Sequence, residues 1–319
     1  MTDVISLWNS LKKELHLLDE DVLHYPPPHI PELNQLLNGI WQSGGKKLRP
    51  SLVFLCARIL NVTPEMIKPY ARAAEMVHTA TLLHDDVIDQ ANFRRGKPST
   101  PQVYGNMRAV LSGDFLLAEV MRELNRLGNF EANCRLSETL AWMVEGEWLQ
   151  NSIIGRTDVT AELSVTIAER KTASLLMWCC EVPGIIAHSP PEVLEKLKSY
   201  GRNLGLAFQL QDDALDFQEN AVSGKPRFQD LRQGLMNGVA VALNGTDTKT
   251  SAWLKSVIES KSEEERETNI ACWIERKSAI DEAVSAARTK AGVYLKRAEE
   301  AAIDTSLVDV ARLVMARTS

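Results

Sequence analysis

Residues 78–89 read HTATLLHDDVID. Apolar residues at three- and four-residue intervals mark the stretch as helical, and three carboxylates, Asp85, Asp86 and Asp89, close it. At about 100° per residue, Asp85 and Asp89 lie about 40° apart around the axis, with Asp86 about 60° from Asp89 on the other side. The three form one acidic edge. Such an edge breaks two local rules. Like charges four residues apart repel, and negative charge is disfavoured at a helix C-terminus, where the loop signals of residues 93–98 put it.

A second stretch repeats the first. Residues 80–89, ATLLHDDVID, and 207–216, AFQLQDDALD, share the pattern Ala-x-x-Leu-x-Asp-Asp-x-apolar-Asp, so Asp212, Asp213 and Asp216 make a second edge. One copy reads as a solvated face. Two copies in apolar surroundings, with no visible compensation, point to function. The missing compensation is cationic. Clustered Asp oxygens suit hard divalent ions, Mg²⁺ above all, which keeps several waters and is shared between carboxylates and substrate phosphates. Zn²⁺ is disfavoured, since neither triplet carries Cys or paired His at ligand spacing. Two facing edges would hold several Mg²⁺ ions around one phosphorylated group.

Phosphate also calls for positive groups, and four clusters supply them. GGKKLRP (44–50) is a glycine turn, then cations, then a proline suited to a first helical turn, where free N–H groups bind anions. FRRGKP (93–98) follows the first triplet, ERKT (169–172) lies in a helical stretch, and GKP (224–226) follows the second triplet. Each cluster alone reads as solvated surface; the acidic triplets lift them together. No Walker A or Gly-x-Gly-x-x-Gly loop is present.

Composition bounds the rest. With 319 residues, 45% apolar, the chain can bury a large core, and its net charge of −6 excludes a basic nucleic-acid footprint. The N-terminus lacks the charged-then-apolar order of a signal peptide, and no apolar run reaches the roughly 18 residues needed to span a membrane. Five cysteines without a Cys-x-x-Cys fit reduced thiols in a cytoplasmic protein. Helical periodicity recurs nearly everywhere, as in SLVFLCARIL and LSETLAWMVEGEWLQ. The expectation is therefore an all-α bundle of about ten or more helices. It forms a single domain over 1–319, with a short N-terminal helix and a Pro-rich linker at about 1–31.

These motifs, in this order and spacing from about Gly44 to Gly234, resemble the trans-isoprenyl diphosphate synthases. The resemblance implies an isoprenoid-synthase bundle with a central cavity, a homodimer, and head-to-tail joining of an allylic diphosphate to isopentenyl diphosphate. It implies that Asp85, Asp89 and Asp212 ligate Mg²⁺, with Asp86, Asp213 and Asp216 binding directly or through water. Lys46, Arg49, His78 and Arg95 would hold the diphosphate of isopentenyl diphosphate. Arg94, Lys171, Thr172, Gln209 and Lys225 would line the allylic side, with Lys171 and Arg94 catalytic alongside the Asp ligands. Where the family commonly reads Asp-Leu-x-x-Gly-Lys, this chain has Leu235 in place of the Lys. Arg227 or Arg232 could substitute, the ions could suffice, or the allylic site is weakened.

Residues one turn before the first Asp, roughly 5–6 Å below the carboxylates, lie near the path of a growing tail. Short-chain members typically place an aromatic residue there; this chain has Ala80 and Thr81, with Val77 and Met76 below. The expected product is long, and Phe115, Val120 and Met121 are candidates for the tunnel floor. The same small residues would also serve as plain core packing. Two other readings stand beside this one: a low-activity regulatory subunit, favoured by Leu235, and a class I terpene cyclase, disfavoured by the second Asp triplet.

Overall fold

A computed structural model describes residues 10–21, 30–42, 47–94, 96–218 and 227–316. The chain is helical almost throughout, as expected. The Pro-rich segment, Lys46, Arg95 and Lys225 lie outside the described residues. The described chain gathers into two compact units.

The first unit takes the residues up to Ser137 together with Trp178–Glu195. Helix α1 (Lys12–Asp21) buries Leu18 completely, as the chain just before it buries Leu11, and Glu14 pairs with Arg58. Helix α2 is Pro31–Gln42, and α3 (Leu48–Ile59) is buried along eight consecutive residues, Pro50 to Ala57. Helix α4 (Pro64–Ile88) carries the first acidic triplet at its end. Its middle, Ala71, Ala73, Ala74, Val77 and Ala80, is fully buried, because small side chains let it pack between α3 and α6 (Asn106–Leu127). Arg72 is buried within that packing and is neutralised by Glu123 of α6, since a buried charge must be paired. The cationic stretch after the triplet folds into a minimal hairpin, β1 (Phe93–Arg94) against β2 (Lys97–Pro98), turning at Gly96 with φ 76°. Helix α5 is Thr100–Tyr104.

Helix α7 (Phe130–Ser152) continues into the second unit, Glu138–Met177 with Lys196–Ser319. There α8 (Ala161–Ala168) leads into a π-helical turn, Glu169–Ala173, and then α9 (Ser174–Ile186), which runs through Pro183. The extra residue of a π-turn re-aims the side chains it carries, here Lys171 and Thr172. Helix α10 (Pro191–Asp216) bears the second triplet. It meets the π-turn at Gly205, where an added Cβ would stand 2.5 Å from the Ala173 Cα. Helices α11 (Gln229–Arg232), α12 (Gly238–Leu243), α13 (Thr248–Ile258), α14 (Glu263–Ala271), α15 (Lys277–Ala301) and α16 (Thr305–Ala316) complete the unit. Its core joins Phe217, Phe228, Trp253, Val257 and Ile280. Each such side chain contributes about 1.5–3 kcal/mol by leaving water. Phe228 adopts a left-handed backbone, φ 63°, a costly position for a bulky residue. Its buried ring, edge-on to Phe217 at 5.2 Å, holds it there.

Candidate active site

In the first unit the acidic triplet divides. Asp86 is buried and accepts from Arg94 Nε at 2.6 Å, whereas Asp85 is half-buried and Asp89 exposed. Beside them a pocket of about 360 Å³ has a polar wall including Lys47, Glu75, His78, Asp86, Arg94 and Lys97 and an apolar wall including Trp41 and Leu82. His78 shares this pocket with Asp86; Asp85 and Asp89 do not line it. Lys47 stands 5.5 Å from the Trp41 ring centre. It occupies the N-cap of α3 in a left-handed conformation without a side-chain cap, at the helix end whose dipole favours an anion. Sequence reasoning placed Lys47 and Lys97 in the cationic clusters GGKKLRP and FRRGKP but gave neither an individual role. Arg49 is half-buried in the first turn of α3.

The second triplet also divides, with two of its carboxylates bonded. Asp212 is exposed. Asp213 is buried, and both its oxygens are taken: Oδ1 accepts from Gln209 Nε2 at 2.8 Å and Oδ2 from the Gly238 N–H at 2.8 Å. Asp216 accepts the backbone N–H groups of Gln229 and Asp230 at 2.8 and 3.2 Å. A fourth carboxylate, Asp230, held by Asn237 Nδ2 at 2.7 Å, joins this group; its only sequence signal was its place in DLRQG. Burial first, then repulsion from Asp230, pushes Asp213 and Asp216 each up to about 7, and burial raises Asp230 as well. Carboxylates so short of positive charge fit a hard divalent cation, which takes oxygen donors. Among the described residues, no three His, Cys, Asp or Glu side chains converge into a ready-made cage. Mg²⁺ does not require one, since waters and phosphate oxygens complete its shell.

The π-turn brings the expected allylic residues together. Thr172 Oγ1 donates to Gln209 Oε1 at 2.6 Å, and Gln209 continues to Asp213, so one hydrogen-bond chain links them. Lys171 pairs with Glu147 at 2.6 Å, a partner that nothing in the sequence had marked. Leu235 is buried. The two arginines that could have replaced a lysine there are engaged elsewhere: Arg232 is bidentate on Glu267, and Arg227 stacks on Trp273 at 4.6 Å. Along α4, Val77, Met76 and Ala80 are buried, and Thr81 donates back to the His78 carbonyl at 2.8 Å. On α6, Val120 is fully buried while Phe115 and Met121 are half-buried.

The polyprenyl synthetase family model matches residues 30–273. The chain belongs to the polyprenyl synthetase family. It is similar to solanesyl-diphosphate synthase 2, chloroplastic, of Oryza sativa subsp. japonica, 34% identical over 302 residues that cover 92% of this chain and 74% of that protein. Among solved structures, a decaprenyl diphosphate synthase from Rhodobacter capsulatus superposes with a TM-score of 0.88 at 28% identity, over 99% of both chains. A polyprenyl synthase from Caulobacter crescentus, complexed with calcium and isoprenyl diphosphate, gives 0.85 at 27% identity, over 99% of this chain and 98% of that one. This member of the family is thus an all-α prenyltransferase of a family that uses a divalent metal. No described helix is long and apolar enough to cross a membrane.

Proposed function

We propose that the chain condenses isopentenyl diphosphate with an allylic diphosphate, head to tail and with Mg²⁺, to make a long-chain all-trans polyprenyl diphosphate. The observation that carries this is the division of the carboxylates. Asp86 and Asp213 are buried and bonded, to Arg94 and to Gln209 and Gly238, while Asp85, Asp89 and Asp212 are half-buried or exposed. Within each unit a buried, bonded carboxylate thus stands beside a more exposed one that a metal could reach. Bound Mg²⁺ would supply the charge that draws the diphosphate away from the allylic carbon. Arg94 and Lys171 would add positive charge on the same leaving group. Each now pairs with a carboxylate, Asp86 and Glu147, that it would exchange for phosphate.

The bookkeeping of atoms closes without a side-chain base. The allylic C–O bond breaks and the diphosphate keeps the electron pair. The double bond of isopentenyl diphosphate attacks the allylic carbon, and the proton then lost goes to the released diphosphate. The pocket that holds Lys47, His78 and Lys97, beside Glu75 and Asp86, combines cations with Trp41 and Leu82. That chemistry suits a diphosphate on a short branched hydrocarbon, and Lys46, Arg49 and Arg95 belong to the same proposed set, as Thr172, Gln209 and Lys225 do to the allylic side. Small Ala80 and Thr81 leave room for a growing tail.

The chain works as a homodimer in this reading. In support, α6 leaves Met107, Val110 and Leu111 exposed along one side, and α7 leaves Val144 and Trp148 exposed. An exposed apolar stripe of this kind is a typical association surface.

The test is direct: purified protein receives isopentenyl diphosphate, short allylic diphosphates and Mg²⁺, and the dephosphorylated products are sized. Long linear alcohols are expected. Cyclic hydrocarbons would mean a cyclase instead, and no product would mean a subunit that needs a partner, the reading Leu235 favours.

A further inference from the structure

The last turn of α4 is the least comfortable place in the first unit. It gathers Asp85, Asp86 and Asp89 at a helix C-terminus, where mutual repulsion and the helix dipole both favour fraying. Arg94 offsets this at Asp86. One side chain of that turn also reaches across to another helix. His84 Nε2 lies 3.2 Å from the Val110 carbonyl and 3.4 Å from Asp114 Oδ1, both on α6. Both neighbours accept, so Nε2 carries the proton and donates.

The ring can reach them because α6 has no side chain in its way. It lies against Gly113, where an added Cβ would come within 2.7 Å of the His84 Cδ2, well inside the carbon–carbon contact distance of about 3.5 Å. Gly113 is buried and mid-helix. A glycine there costs about 1 kcal/mol of helix propensity relative to alanine, a cost that the seat for the imidazole accounts for.

We propose that His84 is a positioning residue: seated on Gly113 and hydrogen-bonded to α6, it holds the final turn of α4 so that Asp85 and Asp89 present their carboxylates to the metal. This rests on the Mg²⁺ reading above. It assigns a job to the residue between the apolar run and the acids, and to the glycine of the GDFLL stretch.

Three variants test it: His84→Leu, His84→Gln and Gly113→Ala. Mg²⁺ affinity is measured by calorimetric titration of the full chain in the presence of inorganic pyrophosphate, with kcat and KM recorded separately and a melting curve for each protein. Removing a group that orients a metal ligand costs about tenfold or more in metal affinity. His84→Leu and Gly113→Ala should each show that loss and a raised Mg²⁺ requirement. His84→Gln, which keeps an N–H for Val110, should recover most of it, although a purely space-filling role would make Gln and Leu alike. Unchanged Mg²⁺ affinity in His84→Leu overturns the proposal, as does a glutamine variant no better than leucine at equal melting temperature. If the parent protein binds Mg²⁺ and pyrophosphate but makes no prenyl product, the functional reading fails while the positioning role is still decided by the titration.

Discussion

Asp212 and Asp213 are neighbours in sequence with opposite surroundings. Asp212 is exposed, whereas Asp213 is buried with both oxygens bonded. Their substitution should therefore cost different amounts. Asp212→Asn removes a proposed metal ligand and should lower kcat by about 10²-fold or more. Asp213→Asn keeps a carbonyl for one donor and its amide can be met by a turned Gln209, so a loss nearer tenfold is expected. Steady-state rates at saturating Mg²⁺ compare the two, and equal losses would mean that both touch the metal. The same scale holds the claim about product length. Ala80→Phe places a large ring under the first triplet and should shorten the dominant product. Chromatography of the dephosphorylated alcohols reads this, with a melting curve to register overpacking, which costs about 1–3 kcal/mol in a full core. A stable variant with unchanged products would sink the idea that this level governs length.

At the scale of elements, the π-turn and α10 behave as one device. Gly201 and Gly205 bring α10 against the backbone of α9 and of the turn that carries Lys171 and Thr172. Glycine-to-alanine changes at unstrained, open positions stabilise by about 0.4–1 kcal/mol through the unfolded chain. At Gly205 the sign should reverse, because the new Cβ meets Ala173. A loss of roughly 1–3 kcal/mol is expected, seen as a lower Tm, together with a reduced kcat as Thr172 is pushed off Gln209. A Tm at or above the parent's would show that the turn can yield. Helical periodicity made α4, α6, α7 and α10 legible, since long amphipathic runs announce themselves. The π-turn was not legible. ERKT reads as ordinary helix, and the glycines that lie against the turn, Gly146 and Gly205, are distant in sequence.

For the whole molecule, the exposed side of α6 makes a prediction about assembly. Leu111→Asp puts a charge into the apolar stripe of Met107 and Val110. Loss of a hot-spot residue costs about 2 kcal/mol or more, some 30-fold in affinity, so the variant should shift toward monomer in sedimentation velocity at micromolar protein. Sedimentation identical to the parent would place the association surface elsewhere.

The two Asp-Asp-x-x-Asp triplets, their basic neighbours and the all-α character were determined by the sequence alone. They depend on residue type at fixed local spacing, and helix geometry converts such spacing into a shared edge. Which carboxylate of each triplet is open and which is held was decided only by the tertiary structure. So were the recruitment of Asp230 and Glu147, the engagement of Arg227 and Arg232 away from Leu235, and the seat that Gly113 offers His84. Burial and pairing depend on what distant segments bring to a side chain, and no local pattern around Asp213 or His84 encodes the residue that meets it.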